Sequence, residues 1–369
     1  MNRRILRSIA PSFFSVLAGL LLGALVILMY GENPLAVYTE MILRPLSTYQ
    51  NALNVLYVMT PLIVVGLAFV VAINAGMINL GLEGQLLLGS LAAAYTATLF
   101  PSLPWLLYVP LIMSVAMVVG ALWASVPGYL KIRFGASEIV TCIMLNYVAQ
   151  NIINYIISGG HFKHPDIAQR TPYILGNAHF TSLSEFGMSI GSTAFRGVQV
   201  NPMFLISLVL VVLIYALVKH TTWGYKIRAV GLNQNATTAN RMNTRKVMLM
   251  AMLLSGALAG IGATGEVLGT FKGFVEGFSP GYGFSGISVA LLGRKHPIGV
   301  VFAALFFGVL DQGMLYVGAN SAIPRDFVKI IQTAVIILIV LSPYLEEQWD
   351  RFVKTRAKHL RLQKAGAHD

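Results

Sequence analysis

Asn74–Leu91 reads NAGMINLGLEGQLLLGSL and lies between two strongly apolar runs. Asn79, Glu83 and Gln85 therefore fall where a helix would cross hydrocarbon, together with Gly76, Gly81, Gly84 and Gly89. Polar groups at that depth are expensive unless they face a bundle interior or a wet pathway. Glycines at this density weaken a helix and let another backbone come close. The second half echoes the pattern at Pro280–Gly293, PGYGFSGISVALLG. Gly81-x-x-Gly84 followed by Leu87-Leu88-Gly89 is matched by Gly283-x-x-Gly286 followed by Leu291-Leu292-Gly293, with two further residues between. Paired, glycine-interrupted segments in oppositely oriented halves are the best sequence pointer to a central transport pathway. Chance similarity of Gly-rich membrane helices is the alternative.

Composition agrees with a chain that lives in lipid. Of 369 residues, 56% are hydrophobic and 11% charged, well below the soluble norm of about 25% charged. The net charge of +12 matters less as a sum than in its distribution, and does not point to nucleic acid. A single cysteine, Cys142, excludes an internal disulfide and a cysteine-based metal site, and reads as a small buried hydrophobe. Arg3, Arg4 and Arg7 precede an apolar run too long for a signal-peptide core, so it reads as an uncleaved first span.

The fold class expected is an all-α polytopic membrane protein, one transmembrane domain over residues 1–369. About ten spans fit, at roughly 9–30, 53–73, 77–100, 105–128, 138–158, 202–219, 247–267, 282–293, 297–317 and 327–345. They group into two oppositely oriented, pseudo-repeated halves, about 9–158 and 202–345, joined by an outer loop at roughly 159–201. With both termini cytoplasmic, the inner segments hold nineteen of the twenty-six Lys and Arg residues. Short loops rich in those residues stay inside, so this orientation is preferred. The outer segment 31–52 could form a short helix on the surface. In the 159–201 loop, His161 and His164 lack a carboxylate or thiol at ligand spacing, so a receptor-docking surface or a plug is a better reading than metal. The tail, 346–369, mixes both signs and fits the inner membrane surface.

The inner loop Lys219–Lys246, KHTTWGYKIRAVGLNQNATTANRMNTRK, has six Lys or Arg and no Asp or Glu. It is too long for a simple turn. Helix formers over Thr221–Leu232, bracketed by Gly224 and Gly231, predict one or two helical turns. Charge alone leaves two readings: a solvated basic loop that sets topology, or a short helix offered to a soluble partner.

Glu266, Asp311 with Gln312, and Asn146 are further polar residues within spans, and an ionisable group there is a functional candidate by default. Glu138 fits an ion pair with Lys131 or Arg133 at the inner surface. HExxH, GxSxG and P-loop patterns are all lacking, so neither catalysis nor ATP hydrolysis is expected from this chain. No cofactor or metal is expected.

Four stretches carry a family resemblance: NAGMINLGLEGQLLLGSLAAAY, KIRFGASEIVTCIMLNYVAQNIINY, TTWGYKIRAVGLN and GYGFSGISVALLGRKHPIGVV. Together they resemble the permease subunits of nucleoside and simple-sugar ABC importers, relatives of the ribose and branched-chain amino-acid permeases. The likeness covers about residues 35–345 and implies a type II ABC importer-like fold in a bacterial plasma (inner) membrane. It implies an ABC ATPase subunit that uses the ATP, a second permease making a heterodimer, and an extracytoplasmic binding protein.

In that family the segment matching Thr222–Asn233 is a coupling helix docked in a groove of the ATPase, and Gly224, Arg228, Ala229, Gly231 and Asn233 carry the match. The chain departs from the pattern at Trp223, where a smaller residue is usual. The stretches matching Asn79–Gly89 and Gly283–Leu292 then line the pathway, with Asn79, Glu83, Gln85, Asn146, Ser285 and Ser288 as its modestly polar wall. The rival reading is a stand-alone secondary transporter with Glu83, Glu266 or Asp311 as a proton or sodium site.

Overall fold

The computed structural model describes residues 17, 21, 23–25 and 27–320, apart from 101, 160, 161, 168 and 175–177. The first expected span lies mostly outside these residues, and the tenth span and the tail lie wholly outside. The chain divides into two units, 44–312 and a smaller one of 1–43 with 313–369.

In the smaller unit, α1 (Pro34–Leu43) realises the short helix expected between 31 and 52. A side chain on Gly313 would land on the Met41 backbone, so only glycine permits that approach.

The larger unit is built around α2 (Tyr49–Asn74). Its stretch Met59–Ala72 is buried on every side, as expected for a helix apolar all round. Then come α3 (Leu82–Leu99), α4 (Trp105–Phe134) and α5 (Glu138–Ser158). A short α6 (Leu183–Ser189) lies in the long loop, before α7 (Met203–His220). Two short helices, α8 (Thr222–Leu232) and α9 (Gln234–Ala239), lead into α10 (Thr244–Ile261). A π turn at Glu266–Thr270 extends α10, and α11 (Tyr282–Leu292) and α12 (Pro297–Asn320) follow. Six of these stretches are long and apolar enough to cross a membrane: α2, α4, α5, α7, Thr244–Thr270 and most of α12. The structure is all-helical apart from one isolated bridge among the described residues.

Burial sorts the six. The most apolar windows of α2 and Thr244–Thr270 are 78% buried, whereas those of α4, α5 and α7 are 17–28% buried. The first two are the centre of the unit, and the others leave broad faces open. On α4, Ala116, Gly120 and Ala124 meet Gly256 and Gly260 of α10, where side chains on the glycines would strike backbone carbonyls. Small residues spaced by four let membrane helices touch backbone to backbone, where packing replaces the hydrophobic drive.

One expectation is corrected here. The third span does not run from 77: α3 begins at Leu82, and residues 75–81 turn without forming a helix. Gly76 has φ +74°, a left-handed conformation that side chains disfavour. Unpaired backbone at membrane depth is tolerable only when enclosed in protein. Asn79 provides that enclosure.

Candidate functional site

Asn79 is wholly buried. Its Nδ2 donates to Gln85 Oε1 and to Ser255 Oγ, each at 2.9 Å, while its Oδ1 accepts from Gly81 N and Gln85 Nε2, each at 3.0 Å. Ala75, Gly76 and Met77 N donate to α2 carbonyls, and the Asn79 amide supplies the partner for Gly81 N. Asn146 on α5 does the same from the other side. Its Nδ2 donates to the Leu80 carbonyl and its Oδ1 accepts from Gly84 N, both at 2.9 Å. Asn79, Gln85 and Asn146 therefore close on one turn. The first two have no free surface, while Asn146 is half-buried.

Glu83 joins the two echoing glycine stretches. One carboxylate oxygen accepts from Ser279 Oγ at 2.7 Å and the other from Gly283 N at 2.6 Å. A side chain on Gly283 would overlap the Glu83 backbone. The carboxylate sits in the first turn of α3 and takes a backbone N–H at the start of α11. Negative charge is favoured at both helix starts. Ser285 and Ser288 follow on α11, both half-buried, with Ser288 Oγ donating to the Phe284 carbonyl at 3.3 Å.

A second polar cluster surrounds Glu266 in the π turn, a helix form often found at functional sites. Tyr282 donates its hydroxyl to Glu266 Oε1 at 2.6 Å. Tyr57 of α2 accepts from Thr270 Oγ1, in the same π turn, at 3.0 Å. Tyr57, Thr270, Ser255 and Tyr282 were not singled out from sequence. Tyr57 and Ser255 are lone polar residues in apolar runs, which is an available signal, whereas Thr270 and Tyr282 stand among other polar residues and glycines and carry none. Asp311 lies half-buried on α12 beside buried Gln312. Glu138 pairs with Lys131 at 2.8 Å, as the sequence suggests. His161 lies outside the described residues, and His164 Nδ1 accepts from the backbone of Asp166 and Ile167.

The basic loop differs from expectation. Its helix runs over eleven residues, about three turns, with Gly224 and Gly231 inside it rather than at its ends. Side chains make the caps. Thr221 Oγ1 accepts from Gly224 N at 3.0 Å, and Asn233, which ends α8, accepts from Ala236 N at 3.0 Å to begin α9. The glycines permit close packing instead. A side chain on Gly224 would strike the Leu217 and Val218 carbonyls at the end of α7, and one on Gly231 would strike Asn74 at the end of α2. Arg228 donates to the Val218 carbonyl, and Ala229 is half-buried beside it in sequence. Gly224, Arg228 and Gly231 therefore seat the helix on α7 and α2. Trp223, Tyr225, Lys226 and Leu232 are exposed.

Residues 51–340 match the family profile described as branched-chain amino acid transport system / permease component. The chain is 33% identical over 350 residues to the nucleoside ABC transporter permease protein NupB of Lactococcus lactis subsp. cremoris, covering 94% of each. It is 35% identical over 353 residues to the guanosine ABC transporter permease protein NupP of Bacillus subtilis, covering 93% of this chain and 96% of that one. It is 34% identical to the glucose ABC transporter permease protein TsgB13 of Haloferax volcanii, covering 90% and 87%. No solved structure matches the chain. A profile spanning most of the sequence and relatives aligned nearly end to end lead to one assignment: this protein belongs to the branched-chain amino acid transport system / permease component family.

Proposed function

We propose that this chain is the membrane-spanning permease subunit of an ATP-driven importer of nucleosides. The nucleoside and guanosine permeases aligned along almost its whole length support that cargo, and the glucose permease supports a simple sugar as the second choice. The observation that carries the coupling half is the seat of α8. It is a capped, rigid helix pressed onto the ends of two membrane helices, with Trp223, Tyr225, Lys226 and Leu232 left uncovered.

In this reading α8 is the coupling helix and fills a groove of a separate ATPase. Closure of the ATPase around ATP displaces α8, which pushes α2 through the Gly231–Asn74 contact and α7 through Arg228. The two states need different contacts at α8, or nothing drives the change. Near its other end α2 carries Tyr57, so the displacement reaches Glu266 and Tyr282. About ten spans in two opposed halves, a second permease in a heterodimer, an extracytoplasmic receptor and cytoplasmic termini in a bacterial plasma membrane complete the assembly. The pathway runs between the two permeases. Glu83, Asn146, Ser285 and Ser288 belong to its wall, and Asn79 and Gln85 hold that wall from behind. The open face of α5 adds exposed Tyr147, Asn151 and Tyr155, four residues apart, a polar and aromatic stripe unsuited to lipid.

The test is uptake of labelled guanosine into proteoliposomes. Accumulation should require the ATPase subunit and ATP. Accumulation by this chain alone, driven by a proton or sodium gradient, would overturn the reading in favour of an ion site at Glu83, Glu266 or Asp311.

A further inference from the structure

A cavity of about 470 Å³ opens between part of the 159–201 segment and residues 269–272, at the end of the π turn and just after it. Its size falls within the roughly 300–1,000 Å³ usual for small-molecule sites. The walls are fixed before any ligand arrives. Ile174 N donates to the Lys272 carbonyl and Phe180 N to the Leu268 carbonyl, each at 2.9 Å. A reciprocal pair of bonds between Ser182 and Glu185 starts α6. Gln199 is held by its backbone N–H, which donates to Asn54 Oδ1 at 2.9 Å.

The lining is amphipathic, and one ion pair answers two of its three charges. Tyr173 is 45% exposed, and the Arg170 guanidinium lies 3.8 Å from its ring centroid. The His164 ring also meets Tyr173 edge-on, centroids 5.4 Å apart, so part of the tyrosine ring stays open, with Phe271 and Met188 also on the wall. Glu185 and Lys272 are paired at 2.5 Å, and Arg170 donates to the Phe271 carbonyl. Among the described residues Arg170 has no carboxylate partner and its Nε is buried without a hydrogen bond, so the lining keeps one positive charge beside the Glu185–Lys272 pair. A neutral solute with a flat ring and several hydroxyls finds an aromatic face, a carboxylate and the Gln199 amide. The feature is also concave, whereas a protein partner needs about 800 Å² of matched surface on each side.

We propose that this cavity is a reception site for a nucleoside, its base against the Tyr173 and Phe271 rings and its ribose hydroxyls toward Glu185 and Gln199. The inference rests on the nucleoside reading above, in which this loop faces outward and meets solute leaving the receptor. The floor then has a consequence, because Thr270 lines the cavity and also donates to Tyr57 in the interior cluster.

The experiment is photolabelling of the full chain in lipid nanodiscs with 8-azidoadenosine, followed by peptide mapping. Label should map to 169–188 or 269–272 and be displaced by adenosine. Met188→Trp, at a residue 63% exposed, should fill the cavity and reduce labelling by about tenfold, near 1.4 kcal/mol. An unchanged thermal midpoint would show that this variant folds, and Tyr173→Ala gives a second variant in the lining. Label elsewhere, label that adenosine does not displace, or equal labelling of both variants would overturn the proposal. ATP-driven uptake that persists alongside such a result would leave the transport reading standing. Labelling as expected without ATP-driven uptake would sink the transport reading and leave the cavity.

Discussion

The Cα of Gly231 in α8 lies against the Asn74 carbonyl at the end of α2, so closely that a methyl group on the glycine would land on that oxygen. This contact ties the basic loop to a helix at the centre of the unit. Gly231→Val should force the two apart, at a cost of about 1–3 kcal/mol for an overpacked contact. The expected outcome is a loss of ATP-coupled uptake of at least roughly tenfold with normal amounts of protein in the membrane. Uptake at the wild-type rate would show that α8 transmits nothing through this point.

Asn79 makes five hydrogen bonds without touching solvent, one of them accepted from the Cys142 thiol at 3.7 Å. Asn79→Leu keeps the volume but strands the Gln85 amide and the Gly81 N–H. Each buried group left unpaired costs about 1–3 kcal/mol, so the thermal midpoint in detergent should fall clearly below that of the exposed control Asn240→Ala. Equal midpoints would mean that the 75–81 turn is held by something else.

Glu83 separates the two classes of mechanism. A glutamine keeps the carbonyl that accepts from Gly283 N, but Ser279 Oγ already accepts from Gly281 N and Tyr282 N, so the glutamine NH2 finds no lone pair there and one contact is lost. Glu83→Gln should therefore retain ATP-driven uptake within about tenfold, roughly 1.4 kcal/mol. Glu83→Ala leaves the Gly283 N–H unpaired and should lose more. Abolition of uptake by the glutamine variant alone would point to a titrating carboxylate and an ion-coupled cycle.

The Glu185–Lys272 pair lies outside the membrane-spanning segments and makes a pH prediction. Burial pushes the Glu185 carboxyl up. Hydrogen bonds from Lys272 and the Ser182 N–H, with the charges of Lys272 and His179, outweigh that and hold it below the ordinary value. A carboxylate lowered in the folded state adds stability that is complete above its unfolded pKa and disappears as pH falls through the folded one. The advantage of wild type over Glu185→Gln should thus be full at pH 7 and vanish below the usual carboxylate range. Thermal midpoints measured from pH 7 down to about pH 3 would check this. A difference independent of pH would remove the pair from the account.

The membrane class, most of the helices and the family were legible in the chain, because apolar length, charge placement and contiguous motifs are local properties. The Glu138–Lys131 pair was equally readable, seven residues apart at one surface. The glycines of α8 were read as helix ends, since a capping glycine and a packing glycine look alike until the neighbouring backbone is present. The same holds for Asn79. Its partner Ser255 is 176 residues away, and whether a buried amide faces a pathway or another amide depends on what folding brings beside it. Glu83 meeting Gly283, and Tyr57 meeting Thr270, are likewise decisions of tertiary structure: a polar group enclosed in protein must be answered, and the sequence names the group but not the partner.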